Sequence, residues 1–206
     1  QKREQNMQDV GIAVTSLSGD QMQQLGFDNT IQITEQIPGL QVLTFTPAQV
    51  VFNIRGVSQN NFTDNNEAPV AVYVDDAYLA TMNGLSGQLF DIERVEVLRG
   101  PQGTLFGRNA TGGVIHYMTN GADSDETNGY IQGTVGDYSR KSLEFAVGGA
   151  FSENARYRFA GRTAEMDGYM KSKPFPGGNP LPPSGVDLGG EDGRAVRAEL
   201  QFDLSD

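Results

Sequence analysis

Few side chains in this sequence could do covalent chemistry. His116 is the sole histidine and there is no cysteine, which removes thiolate nucleophiles, disulfides and zinc–thiolate sites. His116 sits between Ile115 and Tyr117 in a run of strand character, so it reads as a packed side chain rather than a base or ligand. No nucleophile elbow accompanies it, and a Ser-His-Asp hydrolase finds no constellation here. The glycine-rich stretch from Gly100 to Gly113 could cradle a phosphate, but it lacks the Walker spacing and its Lys-Ser/Thr: Gly107 is followed by Arg108 and Asn109. Asp123, Asp125, Asn128 and Gly129 look like a calcium loop, yet the Asn and Gly come one position late and no glutamate closes the loop. They read as a polar linker. Asn109-Ala110-Thr111 is a formal glycosylation sequon. The expectation is a protein that is not an enzyme, with no catalytic residue, metal site or cofactor.

Charge excludes a further class. The net charge is −11, and binding to nucleic acid draws on counterion release by clustered Lys and Arg, which the sequence lacks. No run approaches 18 apolar residues, so no transmembrane helix is expected; barrel strands, which alternate, escape that test. Gln1 to Gln8 contain no apolar signal-peptide core, so the reading is of a signal already removed or an internal fragment.

Residues 1–122 read as an α+β domain, a small mixed sheet with short helices. Ser18 and Gln21 match a capping box ahead of Met22 and Leu25, with Gly26 placed to end the helix. Asp28 is expected to cap a second helix running to Ile37-Pro38-Gly39. Strands are expected over 40–45, 50–54, 70–74, 94–98 and 113–118, with a hairpin turn at Asp75-Asp76.

Beyond the acidic break at Asp123 to Glu126, the period changes to long alternation. Leu143, Phe145, Val147, Gly149 and Phe151 share one face. Tyr157 and Phe159 oppose Arg156, Arg158 and Arg162, and Val196, Ala198, Leu200, Phe202 and Leu204 oppose Arg197, Glu199, Gln201 and Asp203. Residues 123–206 therefore read as about four antiparallel strands. Read alone, they also suit a sheet on a soluble core. Runs of about 10 residues suit a tilted membrane strand, but about four strands cannot close a barrel, for which about eight is the minimum.

The most specific stretch runs Ile92-Glu93-Arg94-Val95-Glu96-Val97-Leu98-Arg99-Gly100-Pro101-Gln102-Gly103-Thr104-Leu105-Phe106-Gly107. With Gln8-Asp9-Val10 leading to Ala13-Val14-Thr15, Ile37-Pro38-Gly39-Leu40, Asn53-Ile54-Arg55-Gly56, Val72-Tyr73-Val74-Asp75-Asp76 and Gly112-Gly113-Val114-Ile115, it resembles, in order, the plug of TonB-dependent outer-membrane receptors. The tail, with Asp167-Gly168-Tyr169, resembles the first strands of their barrel. The chain is thus similar to the N-terminal part of such a receptor: a plug over 1–122 and an incomplete transmembrane β-barrel over 123–206.

That resemblance implies energy-coupled uptake of a scarce ligand such as a siderophore-iron complex, a cobalamin-like cofactor or an oligosaccharide, with the plug gating the barrel. It implies a bacterial outer membrane, contact with its lipid, and a TonB-type inner-membrane partner. The partner's box normally lies just before Gln1 and is not seen here. Ligand contacts are expected on an apex carrying Phe45, Gln49, Gln59, Asn60, Phe62, Tyr78 and Asn83. Arg55 and Arg99 are expected to meet glutamates of the barrel wall. Glu96 is a further plug–barrel candidate, though it and Arg94 read equally well as solvated charges. The rival reading is a soluble β-rich binding or adhesion module.

Overall fold

The computed structural model describes residues 12–27, 29, 31–46, 49–59, 67–80, 89–172 and 187–203. The chain forms two compact units, Gln1–Asn120 and Gly121–Asp206.

In the first unit, β1 (Ala13–Ser18) leads directly into helix α1 (Gly19–Gln24). The Ser18 hydroxyl accepts from the Gln21 amide at 3.2 Å, and the Gln21 side chain accepts from the Ser18 amide at 3.0 Å, so the expected capping box is closed in both directions. At the other end Gly26, with φ +72, lets the Phe27 amide reach back to the Met22 carbonyl at 2.9 Å and the Gly26 amide to Gln23 at 3.0 Å, a Schellman stop.

The expected second helix shrinks to a 3₁₀ turn, Gln32–Glu35. Asp28 lies outside the described residues. The capping role falls to Asn29, whose Oδ1 accepts from the Ile31 and Gln32 amides at 3.0 and 3.3 Å. Ile31, Ile33 and Thr34 are β-branched and poor helix formers, and the Pro38–Gly39 turn ends the segment before an α-helix can be propagated.

A hairpin follows, β2 (Leu40–Thr46) against β3 (Gln49–Ile54), with a register shift between Thr44 and Thr46. The remaining strands are β4 (Val70–Val74), β5 (Ala77–Tyr78), β6 (Ile92–Arg99) and β7 (Gly113–Thr119), with the short helix α2 (Gly103–Phe106) between the last two. They form a five-stranded mixed sheet in the order β1-β6-β7-β4-β5; β4 and β7 are parallel and the other pairs antiparallel. The β4–β5 turn is the expected one, with Asp75 at φ +51.

Alternation along β6 and β7 gives the sheet two faces. Val95, Val97, Ile115 and Tyr117 join Met22, Ile33, Ile37, Val50 and Ile54 in the larger core; Leu98 and Val114 join Ala71, Phe106 and Ala110 in the smaller one. At Gly113 there is no room for a side chain between the strands: an ideal Cβ there would lie 2.4 Å from the Leu98 carbonyl oxygen and 2.8 Å from Ile54 Cδ1.

The second unit is an antiparallel sheet ordered β13-β10-β9-β8, made from β8 (Asn128–Val135), β9 (Lys141–Ser152), β10 (Ala155–Met166) and β13 (Glu191–Phe202). The two-residue strands β11 (Met170–Lys171) and β12 (Asp187–Leu188) pair beyond the β10–β13 ladder. Each of β9, β10 and β13 has 12 residues, about twice the usual globular strand.

Candidate functional site

Three separated stretches of the first unit meet at the Pro38–Gly39 turn. The Arg55 amide donates to the Gly39 carbonyl at 3.0 Å, and Arg55 holds a left-handed φ of +53. Asn53 stabilises that bend by accepting the Gly56 amide at 2.8 Å. From the end of β6, Arg99 Nη1 donates to the Pro38 carbonyl at 3.1 Å. The fold thus brings both candidate arginines to one turn. Arg55 is exposed and Arg99 half-buried, and Arg99 Nε is buried without a hydrogen-bond partner. A guanidinium with a spare buried donor, as at Arg99, suits a carboxylate, which accepts two hydrogen bonds from one fork.

Glu96 lies on β6 away from Val95 and Val97 and accepts from Arg94 Nε at 3.1 Å; Arg94 also pairs with Glu93. In the described structure Glu96 is thus engaged along its own strand.

The candidate ligand residues occupy several places. Phe45 and Gln49 flank the tip of the β2–β3 hairpin, with Phe45 51% exposed. Gln59, half-buried, follows the hairpin's base, where Ile54 bridges Val57. Tyr78 lies across from Tyr73 on β4, and its hydroxyl accepts from Asn109 Nδ2 at 2.9 Å. Burial raises the Tyr78 pKa, with the Asn109 hydrogen bond opposing. Asn60, Phe62 and Asn83 lie outside the described residues.

Around Tyr73 the smaller core becomes aromatic. Its hydroxyl donates to the Phe106 carbonyl at 2.9 Å, and its ring lies 5.4 Å from Phe106 and 6.0 Å from His116 between centroids. His116 is buried, as its setting between Ile115 and Tyr117 suggested. Its Nε2 faces the Asp75 carbonyl at 2.5 Å; since a carbonyl only accepts, Nε2 carries the hydrogen and Nδ1 is the lone pair, buried without a partner. Burial pushes the His116 pKa below its ordinary value against the pull of that carbonyl. Asp75 also holds the end of β7, accepting the Thr119 amide at 2.8 Å. Asn109 and the Asp75 carboxylate were not singled out from sequence. Asp75 was visible as a turn residue and within the Val72-to-Asp76 motif, and Asn109 after Gly107 and within a sequon, with nothing local to name their partners. No group of three or more metal-binding side chains occurs among the described residues.

In the second unit the two faces of the sheet differ sharply. One carries polar side chains that partner each other: Arg158 Nη1 donates to Asn128 Oδ1 at 2.7 Å, Tyr130 donates to Glu144 at 2.5 Å, and Arg162 lies 3.6 Å from Glu144. Arg158 and Arg162 are buried at 8% and 6% exposure, whereas Ile131, Phe151, Val196, Leu200 and Phe202 on the other face are 61–76% exposed. A soluble sheet has the reverse arrangement.

The family model described as TonB-dependent Receptor Plug Domain matches residues 6–114. The pesticin receptor of Yersinia enterocolitica is 30% identical over 149 residues, which are 71% of this chain and 21% of that protein. The vitamin B12 transporter BtuB of Vibrio vulnificus is 25% identical over 193 residues, 85% of this chain and 28% of that one. Among solved structures, the ferric yersiniabactin uptake receptor FyuA from Yersinia pestis superposes with a TM-score of 0.78 at 25% identity, over 92% of this chain and 28% of that one. The chain thus spans less than a third of the length of each. With the plug model covering more than half of its 206 residues, and with the mixed sheet and antiparallel strands in place, this chain belongs to the TonB-dependent receptor plug domain family.

Proposed function

We propose that the chain is the plug, residues 1–122, and the first barrel strands, residues 123–206, of an outer-membrane receptor that takes up a scarce ligand such as an iron–siderophore complex, a cobalamin-like cofactor or an oligosaccharide. The observation that carries this reading is the second unit's inverted sheet, with paired arginines on the buried face and Ile131, Val196 and Leu200 on the exposed one. Such a sheet is at rest with lipid outside and a polar lumen inside. Aromatic pairs lie toward the two ends of its strands: Tyr138 with Tyr169, centroids 5.9 Å apart, and Phe151 with Tyr157, 4.3 Å apart. That placement suits the girdles of a membrane barrel. The names of the relatives, receptors and transporters for pesticin, vitamin B12 and ferric yersiniabactin, support transport as the class.

In this reading the plug gates the barrel and an inner-membrane TonB-type protein supplies the energy. Phe45, Gln49, Gln59, Asn60, Phe62, Tyr78 and Asn83 contribute to the ligand site, and Arg55 and Arg99, with Glu96, face the barrel wall. The spare donors of Arg99 and the exposed Arg55 side chain favour wall carboxylates as their partners.

With no cysteine in these 206 residues, the topology is testable by single-cysteine labelling in the receptor once any cysteine elsewhere in it is replaced. Single cysteines at Ile131, Val196 or Leu200, and separately at Gln132 or Gln201, are labelled with a fluorophore in the receptor reconstituted with brominated lipid. Strong quenching at the first set and weak quenching at the second is the expected result; equal quenching at both would remove the membrane-barrel reading.

A further inference from the structure

The segment leaving β7 has the composition of a slack polar linker, but four of its residues, Thr119, Asn120, Ala122 and Asp125, are held by identifiable partners. In the first unit the Thr119 amide donates to Asp75 Oδ1 at 2.8 Å, and Asn120 donates to Asp91 twice, from its amide to the carbonyl at 2.9 Å and from Nδ2 to Oδ1 at 3.0 Å. In the second unit the Ala122 amide donates to Glu199 Oε1 on β13 at 3.3 Å, and Asp125 accepts from Arg156 Nε on β10 at 2.6 Å. Arg156 also donates from Nη1 to Asp203 at 2.6 Å, so one guanidinium holds both the segment entering the sheet and the end of β13.

These anchors differ in kind. Asp75 and Asp91 occupy left-handed turn positions, at φ +51 and +49, and Asp91 is 3% exposed; their own placement is part of the plug's backbone. Glu199 and Arg156 are strand residues whose ladder hydrogen bonds come from the backbone, so their side chains can be changed without removing a rung. Ala122 is 1% exposed, and a buried amide stripped of its acceptor is costly enough to favour opening toward water.

We infer that residues 119–125 form a latched connector whose local opening is controlled by Glu199 and Arg156 rather than by melting of β7. The release therefore sits on the strand side of the connector, in two side chains, and the inference holds whichever ligand the receptor takes.

The test is amide hydrogen exchange on the complete 206-residue chain in detergent, with limited proteolysis alongside. In Glu199→Ala the Ala122 amide should exchange at least about tenfold faster while the amides of 113–119 keep their wild-type rates. Glu199→Gln, which retains an acceptor oxygen, should stay within about threefold of wild type. Arg156→Ala should raise cleavage between residues 122 and 127 by a similar factor of about ten. An unchanged Ala122 rate in Glu199→Ala, or β7 amides that accelerate in step with it, would overturn the inference.

Discussion

Arg99 reaches from the end of β6 to the carbonyl of Pro38, a 3.1 Å hydrogen bond between residues 61 positions apart. It ties the turn opening the β2–β3 hairpin to the central strands of the sheet. Arg99→Ala should lower the unfolding free energy by about 1 kcal/mol, the usual net value of such a bond at a half-exposed position, and Arg99→Lys should recover only part of it because the fork geometry is lost. Urea midpoints at constant m-value measure this. In the full receptor, Arg55→Ala and Arg99→Ala should also raise protease sensitivity of the plug and pore leak. Wild-type leak in both single variants and the double variant would remove these residues as wall contacts.

Tyr117 points a hydroxyl into the larger core, where its oxygen has no partner, and burial drives its pKa far above the ordinary tyrosine value. A buried group without a hydrogen bond is a cost to the folded state. Tyr117→Phe should therefore be neutral or stabilising by up to about 1 kcal/mol, whereas most core substitutions destabilise. A loss above that size would mean that the hydroxyl is satisfied in solution.

The neutral His116 predicts the direction of an acid response. Its folded pKa is depressed by burial, so its contribution to stability is fully present above the unfolded value of about 6.5 and is lost as pH falls from there through the folded value. The slope of plug stability against pH should flatten below pH of about 6.5 in His116→Asn, which cannot titrate. Equal slopes in the two proteins would show that carboxylates alone set the acid limb.

Gly113→Ala places a methyl group 2.4 Å from the Leu98 carbonyl, a backbone atom that cannot rotate away. The expected loss is about 1 to 3 kcal/mol, read as a lower thermal midpoint. Gly103→Ala is the control: nothing lies within 4 Å of its ideal Cβ, and it should change stability by less than about 0.5 kcal/mol.

Elements whose signal was local could be read from the residues themselves. The capping box needs only Ser18 and Gln21, and β4 follows from Val70-Ala71-Val72-Tyr73-Val74. The edge strands were harder. β1 has little apolar content beyond Val14 and Leu17, and β5 is two residues long; each is a strand because a neighbour pairs with it. The site divides the same way. Arg55 and Arg99 stood out beside glycines in ordered motifs, but their meeting at Pro38–Gly39 depends on tertiary closure. Asn109 on Tyr78, Asp75 on Thr119 and Glu199 on Ala122 are partners separated by 31 to 77 positions, and no periodicity carries such information.

The strand order has a kinetic consequence. β1 finds its partner in β6, with Ala13 opposite Arg99, and β4 pairs in parallel with β7, with Val70 opposite Gly113. Both ladders close long loops before any of their hydrogen bonds form, so the plug is a high-contact-order unit that should fold late and slowly. In the second unit β8 pairs with β9 and β9 with β10, each across a short turn, so these hairpins can close as soon as both strands are present. On contact order alone, the apolar surface of those strands should form before the plug has closed, and that interval is when a chaperone or a membrane would matter most to the chain.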